Sequence, residues 1–231
     1  MNSITQFFSD IKSAWRLGWN SKVFKIHFAL TFIFFAVVGH YCALNISIWQ
    51  TRRGTLLLDP LLQHLHPRDF SIPIFCIIHS AILLTAFFNL PTPKELLKAF
   101  QAYTILLLLR TIFIYAYPLE PPMGMIYLND PVIGLIMNNV NIVTKDLFFS
   151  GHISTMCLFI YFSQNKIWKT YLKFVTPILA LLILWQHVHY TIDIIAAPFF
   201  AFLCCKLVDI LNERWEYGIN NATQQMHLSK N

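Results

Sequence analysis

The chain has 231 residues, of which 56% are hydrophobic and only 12% charged. A soluble domain carries about twice that charged share, and a disordered one would be polar rather than apolar, so both classes are excluded in favour of a bilayer protein. The net charge of +6 does not mark a nucleic-acid binder, because the basic residues flank apolar runs, as they do in membrane proteins. The five cysteines (Cys42, Cys76, Cys157, Cys204 and Cys205) all fall in apolar runs without a CxxC pair, which predicts thiols packed among helices rather than a disulfide framework.

Residues 1–22 do not read as a cleaved signal, because the apolar run that follows is too long and lacks a small-residue cleavage site. Ile4, Phe7, Phe8, Ile11 and Trp15 recur at helical spacing beside Lys12, Arg16 and Lys22, which predicts a helix lying at the membrane interface. A membrane-crossing helix needs about 20 apolar residues. Six stretches approach or meet that length: 24–48, 70–90, 96–117, 149–163, 171–189 and 190–211. The fourth is short, and the fifth and sixth are separated by a sharp turn at Tyr190 and Thr191. The expected organisation is an all-α, polytopic integral membrane protein with an interfacial segment (1–22), a six-span domain (23–212) and a polar tail (213–231).

The N-terminal segment, the 91–98 and 164–173 loops and the C-terminal segment, counted with Lys25 and Lys206 in the adjoining spans, hold 12 of the 17 lysines and arginines. The positive-inside rule then predicts that both termini are cytoplasmic, and that the 49–69 and 118–148 loops face the other side.

Chemistry concentrates at two motifs. Phe149-Ser150-Gly151-His152 enters the fourth span, where the unpaired amides and the dipole of a helix N-terminus favour an anion. Gly151 allows close approach of a phosphate, Ser150 can donate from its hydroxyl or cap the helix, and His152 adds a proton donor. In His189-Tyr190-Thr191-Ile192-Asp193 the histidine and aspartate stand at i and i+4. That puts them on one face of a helix, where Asp193 fixes the tautomer of His189 and frees the other nitrogen to attack phosphorus. Such a pair is by itself commonly a structural hydrogen bond. The topology returns both motifs to one membrane face, and ionisable groups at that depth usually mark function.

Arg110, inside the third span, should face the bundle interior and hold an anion or pair with Asp193 or Asp146. Lys145, beside Asp146, is a second candidate cation or a solvated loop charge. His40 and His79 read as core histidines, and His64 and His66 as loop residues. His187, two residues from His189, should point to a different helix face.

On these residues the sequence resembles the sphingomyelin synthase-like branch of the type 2 phosphatidic acid phosphatase superfamily. Four blocks carry the resemblance: Leu58-Asp59-Pro60-Leu61-Leu62 with Pro67-Arg68-Asp69; Arg110 through Leu119-Glu120-Pro121-Pro122, where Glu120 replaces a proline; Lys145-Asp146 through His152; and His189 through Asp193. The Lys-x6-Arg-Pro block of the phosphatase branches is absent, as is a Ser-Arg pair before His189. The resemblance implies a six-helix fold and a triad of His152, His189 and Asp193, with Arg110, Lys145, Asp146, Ser150 and Gly151 around the substrate.

The expected reaction moves a phosphocholine-like head group from a phospholipid to a lipid alcohol such as diacylglycerol or ceramide. His189 attacks, His152 protonates the leaving alcohol, and Asp193 orients His189. The scheme requires neither cofactor nor metal. The expected partners are a phospholipid donor, a lipid alcohol acceptor and the bilayer, not nucleic acid; a homo-oligomer is compatible with the sequence. Two other readings compete: a lipid phosphate phosphatase or phospholipase C-like hydrolase, and a non-catalytic transporter or scaffold.

Overall fold

The computed structural model describes residues 3–130 and 144–228. Among these every regular element is a helix. α1 (Ser3–Asn20) is followed by α2 (Lys22–Thr51), α3 (Ser71–Asn89), α4 (Pro93–Ala116), α5 (Gly151–Phe162), α6 (Lys166–Trp185) and α7 (Thr191–Leu228), with one 3-10 turn at Leu62–His64. Five of them, α2, α3, α4, α6 and the Thr191–Glu213 part of α7, are long and apolar enough to cross a membrane, and α5 is a shorter apolar helix. The chain is an integral membrane protein, and its described residues hold six apolar helices in the expected order. Residues 131–143, in the centre of the expected 118–148 loop, lie outside the described residues, as do 1–2 and 229–231.

Local sequence sets the helix ends. Ser21 caps α2 by accepting from Phe24 N at 3.3 Å, and Asn165 caps α6 by accepting from Trp168 N at 3.0 Å. Pro93 opens α4 at a position where its missing N–H costs nothing. α1 packs against α2 and α4. Its Trp15 indole donates to the carbonyl of Leu90 at 2.9 Å, and Phe7 meets Phe87 at 5.2 Å between ring centroids. Lys12 and Arg16 stay exposed.

α4, α5 and α7 pack on one another, with α6 against α5 and α2 on the outside of α4. The main core lies among them and includes Leu106, Ile153, Met156, Leu172, Ile183, Ala197 and Cys205. All five cysteines are free thiols. One end of the bundle is tied by side chains between helices: Tyr161 donates to Asp209 at 2.5 Å, Lys98 lies 3.4 Å from Asp209, and Asn89 accepts from Gln164 N at 3.3 Å.

The other end is built by two loops. Residues 54–55 run beside 118–120 in a short parallel pairing, with Thr55 N donating to Pro118 O at 2.9 Å and Glu120 N to Thr55 O at 3.0 Å. A Cβ on Gly54 would lie 2.5 Å from the Leu119 backbone, so this approach requires glycine. Glu120, at the position where the resemblance expects proline, anchors the pairing. It accepts from Gly54 N and from Lys145 Nζ, both at 2.8 Å. The lysine bond, then the Gly54 bond, hold the Glu120 carboxyl below the usual glutamate range.

The turn between α6 and α7 differs from expectation. Helix stops at Trp185 and resumes at Thr191, so five residues separate spans that the sequence predicted to be nearly contiguous. Gln186 explains the break. Its side chain is fully buried, accepts from Phe70 N at 2.8 Å and donates to Ser71 Oγ at 3.0 Å, while its backbone carbonyl accepts from Ile126 N at 3.1 Å. The chain before α3 and the chain after α4 therefore both hang on this turn.

Candidate active site

His189 lies in that turn rather than on a helix, and this corrects the one-face argument. Asp193 sits in the first turn of α7, and its Oδ2 reaches back to accept from Tyr190 N at 3.0 Å, the acid half of a capping box. The same oxygen lies 3.2 Å from His189 Nδ1. The pair meets across the start of the helix, not along its face. A carboxylate can only accept, so Nδ1 carries the proton and Nε2 keeps its lone pair. Both residues are buried, His189 to 2% exposure and Asp193 to 0%.

Asp59 fixes the same helix start from the loop between α2 and α3. It accepts from Thr191 N at 2.6 Å and Thr191 Oγ1 at 3.0 Å, and from the amides of Leu61 and Leu62. Burial pushes its carboxyl up, but the Thr191, Leu62 and Leu61 hydrogen bonds together outweigh it and leave the carboxyl below the usual aspartate range. Tyr190 adds a further tie, donating to Glu120 O at 2.9 Å.

Ser150 precedes α5, and its amide donates to Asp193 O at 3.2 Å, which joins the two motifs directly. Its side chain does not cap the helix. The Ser150 hydroxyl is fully buried and finds no hydrogen-bond partner among the described residues, and the same holds for His152 Nδ1 and Asp193 Oδ1. Unsatisfied buried polar atoms are uncommon in folded proteins and are expected where a polar ligand binds. The rings of His152 and His189 stand 6.2 Å apart between centroids.

Arg110 reaches this point from α4. Its Nε donates to Phe149 O at 3.0 Å and its Nη2 to Asp146 Oδ1 at 2.7 Å. The guanidinium lies over Gly151, where an added Cβ would meet it. The glycine is thus explained by the arginine above it. Of the two partners considered from sequence, Arg110 takes Asp146.

Lys145 is not brought to the histidines. Its Nζ donates to Glu120 and, at 2.7 Å, to Arg52 O, closing the loop pairing instead.

A cavity of about 480 Å³ opens beside these groups, lined at this end by Arg110, Asp146, Gly151 and His152. His189 is not among its lining residues; it adjoins the cavity through His152, whose ring is 6.2 Å away. His79, read from sequence as a core histidine, lines the cavity instead, stacks on Phe75 at 5.6 Å and lies 3.4 Å from Asp130. Periodicity could have found it, since Phe75, His79, Ile82, Ala86 and Asn89 fall on one face of α3. His40, His64 and His66 are exposed. His187 has a left-handed backbone (φ 57°), with Nδ1 2.8 Å from Met123 O and Nε2 3.1 Å from Leu65 O. It serves loop attachment rather than a helix face. Among the described residues no three potential ligands come together to hold a metal ion.

A half-buried arginine–aspartate pair and His152 at one end of an apolar cavity, with a buried histidine–aspartate pair next to His152, in a bundle of membrane-crossing helices, define a site suited to a phosphorylated lipid. Residues 145–210 match the family model described as PAP2 superfamily C-terminal. The matched stretch contains both motifs but not Arg110. The match supports the type 2 phosphatidic acid phosphatase superfamily and, at that level, a lipid phosphatase or phosphotransferase. No curated protein matches the chain.

Proposed function

We propose that the chain is a lipid phosphotransferase of the sphingomyelin synthase-like type, moving a phospho-alcohol head group between lipid alcohols. One observation carries the reading: His189, its tautomer fixed by Asp193 at 3.2 Å, stands 6.2 Å from His152 beside an arginine and an unpartnered serine hydroxyl.

His189 Nε2 attacks the donor phosphorus, and the bond from phosphorus to the departing glycerol oxygen breaks. His152 delivers a proton to that oxygen. Asp193 holds the imidazolium that develops on His189. The Ser150 hydroxyl, the first amides of α5 and Arg110 face the equatorial oxygens, whose charge needs fixed donors in a site shielded from water. In the second half an acceptor hydroxyl gives its proton to His152 and attacks the phosphohistidine, restoring both histidines. The acceptor is a lipid alcohol of the diacylglycerol or ceramide kind, and the head group is phosphocholine-like. The domain carrying this reaction is 23–212, flanked by the interfacial segment and the polar tail.

The site faces the non-cytoplasmic side and both termini lie in the cytoplasm. Supporting this, the lysines and arginines of α1, of the α3–α4 turn and of the start of α6 lie at the opposite end of the bundle from the histidines.

The test incubates detergent-purified protein with head-group-labelled phosphatidylcholine or phosphatidylethanolamine, with and without diacylglycerol or ceramide. Label in a new lipid that requires acceptor and disappears in His189→Ala supports transfer. Release of water-soluble label regardless of acceptor favours hydrolysis. Turnover unchanged in His189→Ala rejects the nucleophile. For sidedness, a single cysteine at exposed Tyr127 should label only from the non-cytoplasmic face; labelling only from the cytoplasm overturns the orientation.

A further inference from the structure

The cavity continues well past the reactive groups. On α3 its wall runs from Phe75 to Asn89, and on α4 from Arg110 back to Leu96. Fourteen residue steps along each helix correspond to about 21 Å at the helical rise. Half of a bilayer's hydrocarbon core is about 15 Å, so the cavity is long enough for a whole lipid chain from one leaflet. Its middle is apolar, with Ile82, Phe100, Leu106, Leu107 and Met156.

The far end is polar and fixed. Asn89 is fully buried; its Oδ1 accepts from Gln164 N at 3.3 Å and its backbone carbonyl from Thr92 N at 2.9 Å, yet Nδ2 has no partner among the described residues. Beside it, Thr85 Oγ1 already accepts from the Trp168 indole at 2.9 Å. The floor is therefore an unpaired amide N–H, held in place by the turn between α5 and α6, at the end of an apolar column.

We infer that this cavity seats one hydrocarbon chain of the phospholipid whose phosphate meets His152 and Arg110, and that the Asn89 floor sets the longest chain accepted. The inference rests on the proposed lipid substrate and adds where its tail goes. A chain leaving the bilayer is already in hydrocarbon, so entering the cavity gains little from desolvation. Selection falls to fit. A chain too long presses methylenes onto a desolvated amide and against packed helices, both of which are unfavourable. One methylene of misfit in an apolar pocket costs about tenfold or more in discrimination.

The test uses full-length protein in detergent and phosphatidylcholines with a photoreactive diazirine at the end of one acyl chain, in a series of chain lengths. Cross-links are mapped by peptide mass spectrometry. A chain that fills the cavity should label around Ala86, Asn89 and Leu96, and shorter chains should label nearer Ile82 and Leu106. Ala86→Phe, which fills the lower cavity, should abolish floor labelling and shift the preferred length downward, with at least a tenfold loss for the longest chain and little for the shortest. Ala99→Leu on the facing helix should act in the same direction if Ala86→Phe does not fold. Labelling confined to the outer faces of α2 and α7, or a length preference unmoved in both variants, overturns the inference. Because cross-linking needs no turnover, floor labelling in His189→Ala supports the chain site even if the transfer reaction is wrong. Conversely, His189-dependent transfer with labelling only outside the bundle removes the chain site and leaves the reaction intact.

Discussion

Gly151→Ala gives the most direct test of how the site is assembled. A Cβ at this position would stand 2.6 Å from Arg110 Cζ and 3.0 Å from Nη2, and closer still to Nη1. An arginine end group usually swings away at little cost. Here it is held by the Phe149 carbonyl at 3.0 Å and Asp146 at 2.7 Å, so relieving the clash means giving up at least one charge-assisted hydrogen bond. That loss is about 1.5–3 kcal/mol, offset in part by up to about 1 kcal/mol from alanine's better helix propensity. The net expectation is a stability loss of about 1–2 kcal/mol, read as a lower melting temperature in detergent. Activity should fall further, on the order of 100-fold, because displacing a phosphate-holding group by an ångström is enough for that. The mechanism is checked by a double-mutant cycle. In an Arg110→Ala background the added methyl has nothing to strike, so Gly151→Ala should cost little beyond Arg110→Ala alone. If the two losses multiply independently, the arginine is not what the glycine accommodates.

Three further outcomes follow from the same geometry. Asp193→Asn can still accept from Tyr190 N, so the protein should fold while phosphotransfer falls on the order of a thousandfold through loss of the charge that orients His189; retention of most activity would remove Asp193 from the scheme. Glu120 has a depressed carboxyl, so its contribution is present at neutral pH and is lost as pH falls through its lowered value. Glu120→Gln should therefore flatten the dependence of melting temperature on pH between about pH 5 and pH 3, and an unchanged slope would locate the acid sensitivity elsewhere. Gln186→Ala leaves the half-buried Phe70 amide unpaired and should destabilise the protein by about 1–3 kcal/mol, with early proteolysis in the 54–70 and 118–130 loops; melting within a degree of wild type would refute its role as the common anchor.

The helices were legible because bilayer crossing requires long apolar runs: five of the six fell within about five residues of expectation, whereas α7 starts where expected and runs on to Leu228, 17 residues past the expected end of its span. The Ser150–His152 and His189–Asp193 motifs were legible because both are local in sequence, and the topology brings their ends together. What escaped was the geometry that depends on residues far apart. His189 and Asp193 were read as a helical i, i+4 pair, but the chain is bent at Gln186 by bonds to Phe70, Ser71 and Ile126, which periodicity does not reveal. Lys145 looked like a second cation because it adjoins Asp146; Glu120, 25 residues away, takes it instead. His79 was set aside as a lone histidine in an apolar run, although its register with Phe75, Ile82 and Asn89 marks a cavity face once two facing helices are known.

α5 has only 12 residues, about 18 Å of helix against roughly 30 Å of hydrocarbon. With its far end at the membrane boundary, its first turn stops about 12 Å short of the opposite boundary. Arg110, six residues from the end of α4, reaches a similar depth of about 9 Å. Under the proposed reaction the short helix sinks the chemistry below the head-group level, so the donor's phosphate enters a recess in the bundle while its tails stay at hydrocarbon depth. Neither donor nor product then has to be lifted out of its monolayer. New lipid accumulates in the leaflet on the side of the histidines, and its appearance in the other leaflet is left to whatever moves lipids across the membrane.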